Sequence, residues 1–247
     1  MATPPTDTAA KFDPTRAGEY QAQSRIALAG YDACHELSAC MLAAALGQGG
    51  SAHVLVVGAG GGAREVFTAG ALEPGWRFTA VDPSQPMLDI AAAGLERSGL
   101  TDRTKVHLGY VDDLPAGRRF DAATLIGVLH HLPGDEAKRH ILRSIAARLA
   151  PGAPLVLAGN RLAYADHPLL LAAWGERWRM QGAAPEEVQA RLGRILQGAD
   201  PPTSEAEVAG LLAEAGFGAP IWFFSSLFWG ACLARRTGGG PDGDARP

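Results

Sequence analysis

A short apolar segment that runs directly into a glycine-rich turn constrains this chain more than any other feature. His53–Val57 (HVLVV) is apolar after its first residue, as expected of a parallel strand buried on both faces. It leads into GAGGG at residues 58–62, and a helical pattern follows at residues 63–72. Glycines without side chains let a ligand approach the backbone, and a helix N-terminus presents unpaired N–H groups. We therefore expect a cofactor site at this turn.

The rest of the chain alternates short apolar runs with longer segments of helical periodicity, which predicts a sheet covered on both faces by helices. The aromatic segment at residues 221–234 is too long for one strand, so we predict two antiparallel strands joined near Ser225-Ser226. The predicted fold is α/β and Rossmann-like, with a seven-stranded, mostly parallel sheet and a C-terminal antiparallel hairpin. The other strands are predicted at residues 77–82, 105–108, 120–126 and 153–158, and the intervening helices at 84–97 and 135–149.

The alternation stops at residues 160–202, where two helical stretches follow one another without a strand. We interpret this segment as a helical lid inserted before a helix that begins with the capping box Ser204-x-x-Glu207. Residues 11–50 are expected to form an N-terminal helical arm. The two ends, residues 1–10 and 237–247, are small, polar and rich in Pro and Gly, so we expect them to be disordered. The predicted domain thus covers residues 11–236.

Composition argues against several classes of protein. The net charge is -4, from 22 basic and 26 acidic residues, whereas a protein that grips a phosphate backbone usually has a large basic surplus. Nucleic acid is therefore disfavoured as a partner. No apolar run approaches the ~20 residues that cross a bilayer, and the start lacks the order of a secretion signal. Cys34, Cys40 and Cys232 suggest neither a disulfide framework nor a zinc site, so we expect packed thiols, a cytoplasmic protein and no metal.

The pattern Gly58-x-Gly60-x-x-Ala63, with Asp82 closing the next strand, suits two kinds of adenosine cofactor. The sequence after Asp82 distinguishes between these two cofactors. Five segments, in the same order along the chain, resemble class I S-adenosylmethionine (SAM)-dependent methyltransferases, and the resemblance extends over residues 54–157. These segments are Val81-Asp82-Pro83-Ser84-x-x-Met87-Leu88, Asp112-Asp113-Leu114-Pro115, Phe120-Asp121, Leu129-His130-His131-Leu132 and Leu149-Ala150-Pro151-Gly152.

This resemblance implies SAM as the cofactor and assigns roles around it. Tyr31 would lie over the amino-acid end of the cofactor, the glycines would wrap its methionine part, and Asp82 would bind the ribose. Met87 would pack near the adenine, and Val111 with its neighbours would meet the adenine edge. The implied cofactor-binding residues are Tyr31, Gly58, Ala59, Gly60, Gly62, Asp82, Pro83, Met87, Val111, Asp112 and Ile126.

Both ends of the chain carry a narrower resemblance, to the branch of carboxy-S-adenosylmethionine synthase and related small-molecule methyltransferases. The residues that carry it include Phe12-Asp13, Ala29-Gly30-Tyr31 and Phe228-Trp229-Gly230. Two positions depart from the wider family: Val56 stands where an acidic residue is common, and Tyr110 where an aspartate is common. The synthase branch also has a basic residue where this chain has Gly193, so methyl transfer is favoured over synthesis of the carboxylated cofactor.

Methyl transfer from a sulfonium is an in-line displacement that depends mostly on positioning, so a catalytic triad is not required. If the acceptor is a hydroxyl, His130 or His131 is the candidate base, although the same turn can serve to cap and pack the next helix. In the lid, Trp174, Trp178 and Arg179 could line a pocket for an apolar or aromatic small molecule; an aromatic stripe at helical spacing can equally be core.

Two other classes remain as alternatives. A nicotinamide-dependent oxidoreductase shares the glycine pattern, but none of Lys11, Lys105 and Lys138 completes a Tyr-x-x-x-Lys pair. A cofactor-binding homologue without catalysis is motivated by Val56 and Tyr110. The expected partner is a small-molecule acceptor whose identity the sequence leaves open, along with the oligomeric state, a homodimer included.

Overall fold

A seven-stranded sheet organises the part of the chain that the structure describes. The computed structural model describes residues 24–60, 62–117 and 119–238. The strands are β1 (His53–Val57), β2 (Arg77–Asp82), β3 (Thr104–Leu108), β4 (Ala122–Ile126), β5 (Pro154–Asn160), β6 (Ile221–Ser226) and β7 (Trp229–Arg235). Their spatial order is β3-β2-β1-β4-β5-β7-β6. Only the pairs β5–β7 and β6–β7 are antiparallel, which confirms the predicted fold class.

The strand order reverses direction at β1. From β1 the chain proceeds to β2 and β3 on one side, then returns to place β4 on the other side of β1. At such a switch point the two connections leave the sheet in opposite directions and open a crevice beyond the carboxyl ends of the strands. The fold therefore predicts a ligand crevice above β1 and β4, at the glycine-rich turn.

Helices cover both faces of the sheet. Along β1, Val54 and Val56 join the core beneath α1–α3, while Leu55 and Val57 join the core beneath α4 and α7. This burial on both sides explains why the strand is continuously apolar. The helices are α1 (Tyr31–Leu46), α2 (Arg64–Leu72), α3 (Gln85–Arg97), α4 (Gly134–Arg148), α5 (Pro168–Arg179), α6 (Pro185–Gly198) and α7 (Glu205–Glu214).

The lid, helices α5 and α6, lies between β5 and α7 in the sequence and has an aromatic core of its own. Two contacts fasten it. Trp174 Nε1 donates a hydrogen bond to the carbonyl oxygen of Ala27 at 2.7 Å, which ties the lid to the chain before α1. At the other end, the almost fully buried Lys138 ammonium pairs with Asp200 at 2.8 Å and holds the pKa of that carboxyl below its usual range.

Several predicted boundaries differ from the structure by one or two residues, and two of these differences have a structural cause. Strand β4 begins at Ala122 because Phe120 forms only an isolated bridge with Leu149. The hairpin turns at Leu227 and Phe228, two residues later than predicted. Phe228 is fully buried in the aromatic core of the lid, and Leu227 adopts a left-handed φ of 50° to allow it. The lid therefore decides where the hairpin turns.

All three cysteines are free, and burial raises the pKa of the Cys34 and Cys232 thiols to about 12. Cys40 is exposed, so the expectation of three packed thiols is wrong there. Residues 1–10 and Phe12-Asp13 lie outside the described residues, as does the predicted tail beyond Gly238. The tail's first residue, Thr237, donates two hydrogen bonds to the Gly216 carbonyl. Among the described helices, none has the length and apolar character that crossing a membrane requires.

The attachment of the lid to the segment before α1 can be tested with a matched pair of buried tryptophans. Trp174→Phe removes a hydrogen-bonded indole, whereas Trp76→Phe removes a buried indole whose Nε1 has no partner. Both changes lose similar ring volume. We expect Trp174→Phe to lower the free energy of unfolding by about 1 kcal/mol more than Trp76→Phe, because only it breaks a bond. Urea denaturation measures the difference, and equal losses would contradict the assigned role of the contact.

Candidate active site

The glycine-rich turn lies against both neighbouring strands of β1. The N–H groups of Gly58 and Ala59 donate to the carbonyl oxygen of Val81, at the end of β2, at 2.9 and 3.2 Å. Gly58 has a φ of 70°, and a Cβ there would lie 2.2 Å from the Cγ2 atom of Val128, which follows β4. Only glycine fits at position 58, for reasons of both conformation and space.

Asp82 closes β2 and connects two loops of the crevice. One carboxylate oxygen accepts the Gly60 N–H and the other accepts the Ser84 N–H, each at 2.9 Å. The residue is 7% exposed, and its burial raises the pKa of the carboxyl, while the two hydrogen bonds act in the opposite direction. A carboxylate has about four acceptor positions, so two remain for ribose hydroxyls after these bonds are made.

The predicted adenine contacts divide into two groups. Met87, Val111 and Ile126 are buried side chains near the carboxyl ends of the strands, and Pro83 is half-buried beside Asp82. Asp112 is different, because its exposed carboxylate lies 2.8 Å from His140 Nε2 on α4. A hydrogen bond from Ser144, with His140 and Arg148, lowers the pKa of Asp112. This side chain is therefore committed to α4.

Tyr31, predicted at the methionine end of the cofactor, lies in a small charged group at the start of α1. The Tyr31 ring lies 4.4 Å from the His35 ring, and the Arg25 guanidinium lies 4.7 Å from its centroid. Asp32 pairs with Arg25 at 3.0 Å and with Arg64, the first residue of α2, at 3.1 Å. These pairs link the start of α1 to the helix that follows the glycine-rich turn.

The two candidate bases occupy different environments. His130 is 4% exposed, and burial lowers the pKa of its imidazole well below the usual value, with His131 contributing. Its Nδ1 accepts the Asn160 N–H at 3.4 Å. The neutral His130 ring therefore carries its hydrogen on Nε2. His131 is half-buried, 4.2 Å from His130 between ring centroids.

The three lid residues predicted to bind an acceptor occupy two environments, the core of the lid and its outer surface. Trp174 and Trp178 are buried in its aromatic core with Tyr164 and Phe228. Arg179 is exposed and pairs with Glu176. The structure thus joins Gly60 to Asp82 by a hydrogen bond, and it places these three lid residues in the lid core and on its outer surface. That the apolar residues contact an adenine stays a prediction. The role of the three lid residues toward an acceptor also stays a prediction.

Sequence reasoning missed Trp229 as a residue of the crevice. It is the first residue of β7 and pairs with Asn160 at the end of β5. Its indole lies 3.4 Å from where a Cβ on Gly127, just after β4, would be, and 5.4 Å from the His130 ring centroid. The buried Nε1 of Trp229 has no hydrogen-bond partner among the described residues. The signal that could have located Trp229 was the antiparallel register of the hairpin, which pairs it with the last residue of β5.

Two charged residues at the start of α2 were also missed. Arg64 has a buried Nε without a hydrogen-bond partner in the described part of the chain, and Glu65 is a buried acid. The N-cap of this helix, Ala63, supplies no side-chain acceptor, but the Val66 N–H donates to the Ala63 carbonyl oxygen at 2.9 Å and the Glu65 N–H bonds the Glu65 carboxylate. Across residues 24–238, excepting 61 and 118, no cluster of His, Cys, Asp or Glu could hold a metal.

This combination of a strand-order switch point, a glycine-rich turn and an acid closing β2 is the arrangement of the class I methyltransferase fold. Comparison with known proteins finds matches of the same kind. Residues 55–155 match the family described as methyltransferase domain. An uncharacterized protein of Synechococcus sp. is 35% identical over 106 residues, which are 42% of this chain and 24% of that protein.

Solved structures share the same fold. Mitomycin 7-O-methyltransferase MmcR superimposes with a TM-score of 0.59 and 22% identity over 82% of this chain and 54% of that chain. Human N-acetylserotonin methyltransferase, solved in complex with SAM, superimposes with a TM-score of 0.55 and 19% identity over 75% of this chain and 47% of that chain. The chain spans about half the length of these structures and about a quarter of the Synechococcus protein. The described residues thus have the class I fold, and residues 55–155 are similar to the methyltransferase domain family; the carboxy-S-adenosylmethionine synthase branch remains a prediction.

The close approach of the glycine-rich turn to Val128 generates a stability prediction. We expect Gly58→Ala to cost about 3 kcal/mol of unfolding free energy, because left-handed strain adds to overlap with Val128. Gly60→Ala is the control: its φ is 55°, but the nearest atom lies 3.8 Å away, so only the strain of about 1 kcal/mol is expected.

Chemical denaturation of both variants and of the double variant Gly58→Ala/Val128→Ala measures the two contributions. The double variant should recover the part of the lost unfolding free energy that comes from overlap with the Val128 side chain. A Gly58→Ala variant no less stable than Gly60→Ala would show that the turn does not lie against Val128.

Proposed function

We propose that this chain is a SAM-dependent methyltransferase acting on an apolar or aromatic small molecule through an oxygen or nitrogen nucleophile. The observation that carries the proposal is the Asp82 carboxylate, held by the Gly60 and Ser84 N–H groups beside the uncapped start of α2. This arrangement offers acceptors for ribose hydroxyls and places the positive end of the α2 dipole, which suits an amino-acid carboxylate, at the same crevice. SAM has both kinds of group, and the family match supports the same cofactor.

When bound, SAM supplies a methyl group on a positively charged sulfur, which is already a good leaving group. The chain has to hold the acceptor in line and exclude water, a task worth ~7–11 kcal/mol in well-oriented systems. Asp82 would bind the ribose, and Met87 and Val111 would enclose the adenine; both are buried apolar side chains that suit a base. The fit of the site to this cofactor rests on the acceptor oxygens of Asp82 and on the buried apolar side chains of Met87 and Val111.

For a hydroxyl acceptor, we assign the general base to His131 rather than His130. The Nδ1 of His130 is occupied by the Asn160 N–H, and its Nε2 carries a hydrogen, so this ring has no position ready to accept a proton. His131 shares the turn beyond β4 and is half-buried rather than buried. His130 would instead keep the turn rigid through its contacts with Asn160 and Trp229.

Trp229 is the residue we assign to the acceptor wall. Its ring lies at the carboxyl edge of the sheet, against Gly127 and His130, and its Nε1 is a donor without a partner among the described residues. An aromatic acceptor can stack on such a ring, and a polar atom of the acceptor can accept from the indole. Trp174 and Trp178 would act through the lid, whose shape their packing maintains.

Calorimetric titration with SAM, S-adenosylhomocysteine (SAH) and NADH tests the cofactor assignment. We expect binding of the first two alone. Asp82→Asn should weaken SAH binding about tenfold or more, since an amide cannot accept two backbone N–H bonds and ribose hydroxyls together. Asp121→Asn is the matched control, because Asp121 also accepts a backbone N–H, from His53 at the opposite edge of the sheet.

The outcomes distinguish the alternatives. Binding of NADH without SAH would indicate an oxidoreductase, and equal losses in Asp82→Asn and Asp121→Asn would remove Asp82 from the cofactor site. Tight SAH binding with no turnover across a panel of phenolic and amine acceptors would indicate a cofactor-binding protein without catalysis.

The base assignment predicts a pH profile. With a hydroxyl acceptor, His131→Gln should lower kcat about 100-fold and abolish the fall of the rate in acid, because a protonated imidazole cannot accept a proton. His167→Gln, which changes a half-buried histidine at the start of the lid, serves as control and should keep the wild-type profile. A His131→Gln enzyme that retains the acid limb would refute His131 as base.

A further inference from the structure

Four arginines lie at the amino edge of the sheet, at the end opposite the glycine-rich turn. Arg119 precedes β4, and Arg148 is the last residue of α4. Arg235 is the last residue of β7 and Arg236 follows it; because β7 is antiparallel to β5, both lie beside the amino end of β5. The candidate cofactor crevice is at the carboxyl ends of the strands, so these arginines belong to a different surface.

The guanidinium groups of Arg119 and Arg236 converge on one oxygen atom. The Nη1 atoms of both side chains donate to the Leu149 carbonyl oxygen, at 3.1 and 2.7 Å. Desolvation lowers the pKa of Arg236, and the neighbouring charge of Arg119 lowers it further. Arg119 is exposed and Arg236 is half-buried. Two like charges are therefore held together where a ligand can reach them.

No carboxylate neutralises these arginines within the described residues, because the ion pairs formed there involve other side chains. Arg148 and Arg235 also donate only to backbone carbonyl oxygens, which are those of Ala45, Asp112, Leu114, Pro115 and Gly152. A guanidinium has several N–H donors, and Arg119 and Arg236 each use one toward the described residues. The pair thus has both positive charge and N–H groups left for a ligand.

The end of α4 explains part of this arrangement. Leu149 is the C-cap of α4, and a cation near the last carbonyl groups of a helix is stabilised by the helix dipole. One arginine would supply that interaction. A second guanidinium at the same oxygen adds repulsion between like charges, and an anion bound to both groups would remove it.

We propose that Arg119 and Arg236 form a binding site for a phosphate group, either inorganic phosphate or a small phosphate monoester. Phosphate carries close to two negative charges at neutral pH, and its oxygens accept the paired N–H groups of guanidinium. Arg148 and Arg235 would add positive potential around the site. The inference goes beyond the proposed methyl transfer and does not depend on it, because the site lies at the other edge of the sheet.

Titration with inorganic phosphate, followed by phosphorus NMR, measures the dissociation constants of wild type and three variants. Arg119→Gln and Arg236→Gln change the proposed site. Arg143→Gln is the control, because it changes an exposed arginine of α4 that pairs with Glu136. We expect each site variant to bind phosphate about tenfold more weakly or worse, since a charge-assisted hydrogen bond is lost, and the control to stay within about twofold. Equal affinities in all four proteins would overturn the proposal.

Stability without phosphate separates an anion site from a helix cap. In dilute buffer, Arg119→Gln should be at least as stable as wild type, because it removes repulsion between like charges. In phosphate the order should reverse, since tighter binding adds more to the stability of the wild type. Urea denaturation measures both, with chloride at equal ionic strength as reference; the general stabilising effect of phosphate is common to both proteins. The same loss of stability in both buffers would indicate a helix cap and overturn the proposal.

Two acids of this chain, Asp242 and Asp244, follow Arg236 closely in the sequence and are the competing occupants. The double variant Asp242→Asn/Asp244→Asn tests them in the same titration. A phosphate affinity within about twofold of wild type supports phosphate as the ligand of the arginines. Phosphate binding that appears only in the double variant would assign the arginines to these two acids and overturn the proposal.

Discussion

The hydrogen bonds of one carboxylate join the two loops that border the candidate cofactor crevice. Asp82 accepts the N–H of Gly60 with one oxygen and the N–H of Ser84 with the other, so it joins the turn after β1 to the start of α3. The Gly58 N–H completes the connection by donating to the Val81 carbonyl oxygen. These bonds oppose the cost of burying Asp82 and orient the glycine-rich turn, on which the placement of α2 and its first N–H groups then depends.

The parts of the fold that followed from the sequence are those encoded by local patterns. The run HVLVV, buried on both faces, and the turn that needs a left-handed glycine at position 58 are readable within a few residues. The position of the hairpin turn was not readable in this way. It depends on Phe228, which inserts into a lid core contributed by residues far away in the sequence.

The candidate site shows the same division. Asp82 and the glycines were predicted from their spacing, and both lie at the crevice. Asp112 was predicted beside them, but contacts from Ser144 and His140 on α4 hold its side chain. The contrast between His130 and His131 also escaped the sequence, because it is produced by the Asn160 N–H and by burial against Trp229, which come from β5 and β7. Spacing predicts where a residue lies along an element; packing from distant elements decides what its side chain can do.

Electrostatics explains why a cationic ligand suits this crevice. Burial raises the pKa of both Asp82 and Glu65, and the Asp82 carboxylate raises the pKa of Glu65 further. The folded protein without ligand therefore carries an electrostatic cost that a bound ammonium or sulfonium would reduce. Because such a ligand binds only where both acids are assembled, its binding free energy adds to the stability of the native state. An adenosine ligand without positive charge would occupy the same crevice and leave that cost in place, so charge as well as shape would distinguish the cofactor from its uncharged analogues.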